Sequence, residues 1–347
     1  MIPLELYTNY AVEQTCALLA IDSPSGYTHR AADYAMNELK RLGFEPSLTR
    51  KGGVLVCLNP DLPEDNALLL EAHLDTLGGM VTQICGNRLK LTNLGGMNPN
   101  NGEAENVRII TRSGKTYSGT FQLKDASVHV NGGYSDAKRT FDTMEVVIDE
   151  EVYTPEETQG LGIMVGDIVC FDPRTTITGS GYIKSRFLDD KLSVAILLGQ
   201  ARRVTEGKAA LRCRVWHHVT VFEEVGHGGA SSVPAGVVES ISVDMGCVGE
   251  GLGCKETQVS ICAKDGGGPY HYDVVSGLID AARKAGADFA VDVYPYYSSD
   301  VDVTLSAGHD LRHGLIGPGV YASHGYERSH VKGVENTLKL LEAYLGE

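Results

Sequence analysis

Three short stretches of this 347-residue chain set carboxylates and imidazoles where apolar runs end. The first is Glu71-Ala72-His73-Leu74-Asp75, directly after Leu68-Leu69-Leu70. Alternation along a strand sends His73 and Asp75 to the same side. A metal-bound histidine needs its second ring nitrogen held by an acceptor, commonly a carboxylate, and this His-x-Asp piece supplies both parts. A structural histidine beside a turn aspartate is the plainer reading of the same residues. The second stretch is Phe187-Leu188-Asp189-Asp190-Lys191, between a β-like run at 181–183 and a helical pattern. One aspartate could cap that helix. Two adjacent carboxylates exceed what a cap requires, and one of them could bridge two cations.

The third stretch, Val219-Thr220-Val221-Phe222-Glu223-Glu224-Val225-Gly226, closes an apolar strand with two glutamates and runs into Gly228 and Gly229. A charged pair ending a buried strand is costly unless exposed or paired. In a metalloenzyme both glutamates have a use. One ligates metal, and its unligated neighbour takes a proton from water. Asp244, after the β-like 241–243 run, and His324, in Ala322-Ser323-His324-Gly325-Tyr326-Glu327, are two further candidates. Each alone is more simply structural. Together the five places offer two histidines and several carboxylates, a hard oxygen and nitrogen set suited to paired divalent zinc, cobalt or manganese.

Groups so far apart must be gathered by a scaffold, and open α/β sheets build their sites outside the carboxyl ends of their strands. The first third of the chain has that texture. Thr28 is placed to cap a helix through Ala31, Ala32, Tyr34, Ala35, Met36, Leu39 and Leu42, with Gly43 as its stop. Runs at 54–58 and 67–70 read as strands, the second apolar enough to be covered on both faces. From 77 to 173 Gly, Asn, Thr and Val dominate, and short strands are expected at 107–111, 116–123, 126–130 and 144–148. This predicts a small all-β insert in an α/β protein. Beyond it the α/β texture returns, with a helix over 191–204, strands over 212–222 and 241–248, and a final amphipathic helix. That helix carries Val331, Val334, Leu338, Leu341 and Leu345 as its buried stripe.

Composition excludes some partners. Asp+Glu number 45 against 30 Lys+Arg, a net charge of −15, and no basic cluster exists to meet a phosphate backbone, so no nucleic-acid partner is expected. The longest apolar run, 16–21, is far short of the roughly 20 residues that span a bilayer. No membrane partner is expected, and the absence of a basic-then-apolar leader points to the cytoplasm. The eight cysteines form no Cys-x-x-Cys pair and read as small buried hydrophobes in a reducing compartment.

The order His-x-Asp, Asp-Asp, Glu-Glu-Val-Gly, Asp and a late His resembles the glutamyl-aminopeptidase and tetrahedral-aminopeptidase family, metallopeptidase family forty-two. Ser23-Pro24-Ser25-Gly26, Gly162-Ile163 and Val165-Gly166-Asp167 support it. The resemblance covers nearly the whole chain. It implies a discontinuous, zinc-peptidase-like catalytic domain (1–76 and 174–347) with a mixed central sheet flanked by helices. The insert (77–173) would be a PDZ-like barrel serving dimerisation. It implies a cytoplasmic dinuclear aminopeptidase acting on small peptides, assembled as dimers and up to a dodecamer, with zinc or cobalt, or else manganese. Carried over by position, His73, Asp189 and Asp244 ligate one metal, and Asp189, Glu224 and His324 the other. Asp75 supports His73, and Glu223 is the base. Lys191 stands where the family usually has Arg, and His227-Gly228-Gly229 and His-Gly-Tyr-Glu depart near the expected substrate position. The alternatives are a deacylase or amidohydrolase on the same metal centre, and a non-catalytic assembly relative.

Overall fold

Leu68, Leu69 and Leu70 lie in a seven-residue strand that is buried throughout. Such a strand is stable only where both sheet faces are covered. The computed structural model describes residues 4–207 and 210–346. In chain order, helices α1 (Leu4–Leu19) and α2 (His29–Arg41) precede strands β1 (Ser47–Leu48), β2 (Val54–Cys57) and β3 (Ala67–His73). There follow β4 (Gly78–Cys85), β5 (Arg88–Leu94), α3 (Pro99–Gly102), β6 (Glu105–Ile110), β7 (Thr116–Leu123), β8 (Met144–Ile148), α4 (Pro155–Gly160) and β9 (Ile168–Phe171). Next come β10 (Thr176–Ile177), β11 (Tyr182–Ser185), α5 (Leu188–Thr205), β12 (Val215–Thr220), β13 (Val237–Val243), β14 (Gly246–Val248) and β15 (Val259–Lys264). The chain closes with α6 (Tyr272–Ala285), β16 (Phe289–Val293), α7 (Asp300–Ser306), β17 (Arg312–Tyr321), β18 (Glu327–His330) and α8 (Val331–Leu345).

These elements form two compact units, one of residues up to Asp75 and from Arg174 onward, the other Thr76–Pro173. The first unit is a mixed α/β layer structure. Its sheet runs β1-β2-β12-β3-β13-β17-β18-β11-β10, with β14 and β15 joined to β17 and β16 to β15. The centre, β12-β3-β13-β17, is parallel, whereas β2 and β15 pair antiparallel to it. Helices α5 and α7 both pack on β3, and α1 and α8 pack on α5. Leu192, Ala195, Ile196 and Leu198 of α5 are buried, as are Val334, Leu338, Leu341 and Leu345 of α8, so the apolar stripes face the core. The second unit is a closed six-stranded antiparallel barrel, β4-β5-β8-β7-β6-β9, filled by Leu89, Ile109, Phe121, Val146, Val169 and Phe171.

Several local expectations are corrected. Residues 126–130 are a turn with Val128 and Val130 exposed, not a strand, because no neighbouring strand offers them a ladder. Thr28 precedes α2 but makes no side-chain cap bond. The 241–248 run is broken at Asp244 and Met245 into β13 and β14. The opening helix α1 carries apolar residues on several faces and gave no clean periodic signal in the sequence. Among the cysteines only Cys170, Cys254 and Cys262 are buried, and Cys85, at the end of a barrel strand, is exposed.

Candidate active site

All four parallel strands at the sheet centre deliver candidate residues at their carboxyl ends. His73 ends β3, Glu223 and Glu224 follow β12, Asp244 follows β13, and His324 follows β17. Asp189 enters from the start of α5, where Asp189 and Asp190 leave helical geometry at a kink and the regular helix follows them. Asp190 accepts the His73 backbone N–H at 3.2 Å. Three of these segments use non-glycine residues in left-handed backbone: Phe187 (φ 68°), Phe222 (φ 70°) and His324 itself (φ 61°). That conformation is unfavourable for such residues and persists where surrounding contacts impose it, commonly at functional sites.

The side chains converge on Asp189. One of its oxygens lies 3.0 Å from His73 Nε2, and the other lies 3.5 Å from His324 Nε2. The ligand atoms of His73, Asp189 and Asp244 all fall within 4.8 Å of one another, and so do those of Asp189, Glu224 and His324. Glu224 Oε2 is 3.5 Å from His324 Nε2. Glu223 belongs to neither cluster, yet its Oε2 is 3.7 Å from His73 Nε2. Asp75 is fully buried, and its carboxylate sits 3.7 Å from His73 Nδ1, while its backbone carbonyl is closer at 3.0 Å. The carboxylate's main hydrogen bonds lie elsewhere. It accepts the backbone N–H groups of Glu223 (3.1 Å) and Glu224 (3.4 Å) and the Ser25 hydroxyl. Ser23 donates to the Leu74 carbonyl at 2.8 Å, so the Ser-Pro-Ser-Gly segment ties down the end of β3.

Sequence reasoning missed the groups that hold this arrangement. Glu327 is 2 % exposed and accepts two backbone N–H groups at 3.0 Å, Asp189's on Oε2 and His324's on Oε1. Its place three residues after His324 is visible in the sequence, but nothing there signals that it reaches a segment 138 residues away. Asp300 accepts Gly229 N–H at 2.6 Å and the Thr220 hydroxyl, and Lys51 donates to the His227 and Gly228 carbonyls. A Cβ on Gly228 would fall 2.3 Å from Asp300 Oδ1, so the close approach of this loop to Asp300 requires glycine. Lys191 is buried and donates to the carbonyls of Leu18 (3.0 Å) and Ile21 (2.6 Å), fastening α5 to the end of α1.

Burial and close approach set the electrostatics of the cluster. Burial pushes Glu223 well above the carboxylate range, Glu224 up to about 8 and Asp244 up to about 7. Burial opposes charge on His73 and His324 too, but Glu223 on one side and Asp189 on the other outweigh it. His73 is raised well above its ordinary value and His324 to about 10. Burial would also raise Asp189, yet its hydrogen bonds to His324 and His73 win and hold it low. Glu224 Oε1 is buried with no hydrogen-bond partner among the described residues, an orphan that a cation would satisfy. The donor set therefore fits divalent metal. Asp189, Glu223, Glu224, Asp244 and His324 open on a cleft of about 550 Å³ shared with Met245, Cys247, Tyr297 and the exposed Tyr296.

Two histidine–carboxylate clusters around a common aspartate, with an unshared glutamate beside them, are the equipment of a metal-assisted hydrolase. Comparison with known proteins narrows the class. Residues 52–340 match the model of the M42 glutamyl aminopeptidase family. The chain is 43 % identical over 329 residues to YhfE of Bacillus subtilis (strain 168), which its name puts forward as an aminopeptidase. That alignment covers 94 % of this chain and 95 % of YhfE. In fold it is similar to aminopeptidase APDkam598 of Desulfurococcus kamchatkensis, with a TM-score of 0.86 and 21 % identity, covering 98 % of this chain and 95 % of that one. It is similar also to the Pyrococcus horikoshii TET1 peptidase, with a TM-score of 0.85 and 21 % identity, covering 97 % and 99 %. The chain belongs to the M42 glutamyl aminopeptidase family and is a peptidase hydrolase.

Proposed function

We propose that this protein is a dinuclear metal-dependent aminopeptidase that releases the first residue of small peptides, with Glu223 as its general base. The observation that carries this reading is the Asp189 carboxylate, with one oxygen 3.0 Å from His73 Nε2 and the other 3.5 Å from His324 Nε2. His73, Asp189 and Asp244 would hold one ion, and Asp189, Glu224 and His324 the other. Zinc, cobalt or manganese suits these donors. When bound, such ions polarise a scissile carbonyl and lower the proton affinity of a water. Glu223 takes the proton from the attacking water and passes it to the leaving amine. Asp75 orients the Glu223–Glu224 turn by accepting both backbone N–H groups. A free α-amino group is cationic and suited to this acid-rich cleft, which sets the cut after the first residue.

The catalytic domain in this reading is 1–76 with 174–347, and 77–173 is a dimerisation domain. The TET1 peptidase of similar fold is described as assembling into a tetrahedron or a large octahedral shell. That supports a homo-oligomer; its construction from dimers and its place in the cytoplasm are part of the proposal. The test uses metal-stripped protein reloaded separately with zinc, cobalt or manganese, elemental analysis, and a panel of free-amine and N-acylated aminoacyl amides. Two ions per chain and turnover of free-amine substrates are expected. A saturated content of one ion would remove the dinuclear assignment, and preference for N-acylated substrates would replace aminopeptidase by deacylase.

A further inference from the structure

One wall of the cleft is formed by apolar side chains that are neither metal ligands nor proton carriers in this reading, although Met245, through its backbone N–H, and Tyr297 both also support Asp244. Met245 is buried and Cys247 and Tyr297 are half-buried, whereas Tyr296, Ser298 and Ser323 are exposed at the rim. The Tyr297 hydroxyl donates to the Met245 carbonyl at 3.2 Å and also interacts with Asp244, so its polar atom is taken up and the ring is what it offers a substrate side chain. Thioether, thiol and aromatic ring together make a soft apolar surface. The charged groups on the cleft are Asp189, Glu223, Glu224 and Asp244, with His324 beside them, and among the described residues no lysine or arginine lines it. Lys51 is committed to the His227 and Gly228 carbonyls.

We infer that the first residue's side chain docks on the Met245–Cys247–Tyr297 wall, and that the enzyme prefers uncharged apolar first residues, such as leucine and methionine, over glutamate and lysine. This rests on the aminopeptidase reading and adds the substrate class to it. With the ions matched by their own carboxylate ligands, an acidic side chain on this wall would find no side-chain cation among the described residues, so its charge would be desolvated without a partner. A lysine side chain on the wall meets no carboxylate there, since Met245, Cys247 and Tyr297 carry none, and the acids of the cleft serve the ions, the reaction and the α-amino group. A leucine side chain loses water against matching surface and leaves nothing unpaired. The family takes its name from glutamyl substrates, and this cleft lacks the charge that glutamate needs.

The experiment uses full-length metal-loaded enzyme and the aminoacyl p-nitroanilides of leucine, methionine, lysine and glutamate, with calorimetric binding of the free amino acids as a second readout. The expected kcat/KM for leucine and methionine exceeds that for glutamate by about 10²-fold, the scale of pocket discrimination. L-leucine should also bind more tightly than L-glutamate. Cys247→Arg, and Ser298→Lys at the exposed rim where folding is not at risk, should each raise the glutamate-to-leucine ratio about tenfold or more, the scale of an added charge pair. A wild-type preference for glutamate or lysine overturns this inference and leaves the aminopeptidase reading standing. An unchanged ratio in both variants likewise removes the wall assignment. Failure to cleave any of the four amides by protein holding its full metal content overturns the aminopeptidase reading and this inference with it.

Discussion

Glu223 and Glu224 are neighbours in sequence with different surroundings, and that difference separates their roles. Glu224 sits with His324 and Asp189, while Glu223 stands outside both ligand clusters. Glu223→Gln is therefore expected to retain both ions by elemental analysis and to lose about 10²–10⁴-fold in turnover, the usual contribution of an acid/base group. Full activity in a metal-loaded Gln variant would remove the assignment. Glu327 acts one step further out. An amide in its place keeps one acceptor oxygen, so one of the Asp189 and His324 backbone N–H groups loses its partner. Glu327→Gln should weaken affinity for the ions about 10–100-fold in titration calorimetry, the range for groups that orient metal ligands. Proton linkage has a definite sign here. Asp244 and Glu224 hold protons up to about 7 and about 8 in the folded metal-free chain, well above ordinary carboxyl values. Groups raised in this way stabilise the fold at low pH and lose that contribution as pH climbs to their folded values. Denaturant midpoints of metal-free protein should fall between pH 5 and pH 8, and saturating divalent ion should abolish the slope because ligation replaces the protons.

At the scale of elements, the His-x-Asp and Glu-Glu pieces were legible because each follows a run of apolar residues that could only be a buried strand. The alternation argument placed His73 and Asp75 on one side, but β3 ends at His73, and the Asp75 carboxylate mainly fastens the Glu223–Glu224 turn. The strand that presents His73 is held by its leucines. Leu70 is fully buried, and Leu70→Ala should cost about 2–5 kcal/mol in denaturant unfolding, a transfer and cavity penalty. A value under 1 kcal/mol would mean the sheet centre relaxes around the loss. The Asp-Asp pair was ambiguous between cap and ligand for a physical reason. Both readings put a carboxylate at a helix start, and only backbone geometry distinguishes them. Left-handed Phe187 and Phe222 had no signal at all, since phenylalanine carries no preference for that conformation and contacts alone impose it.

For the whole molecule, the central test is light scattering on the metal-loaded protein, where a multiple of the chain mass is expected. A monomer would withdraw the dimerisation role proposed for 77–173. Sequence information reached the α/β alternation, the β-rich character of 77–173 and every metal-site candidate, because hydrophobic period and residue chemistry are local properties. Residue chemistry alone left each candidate open, and the grouping into two ligand sets came from the family resemblance. His73, Asp189 and His324 are 116 and 135 positions apart, and their meeting depends on the parallel order β12-β3-β13-β17, which sets which strand ends are neighbours. The support given by Glu327 and Asp300, and the gathering of Met245, Cys247 and Tyr297 on one cleft, likewise arise from contacts between distant segments. Burial raises the value of each charge there, and burial is a property of the packed chain that no stretch of residues carries alone.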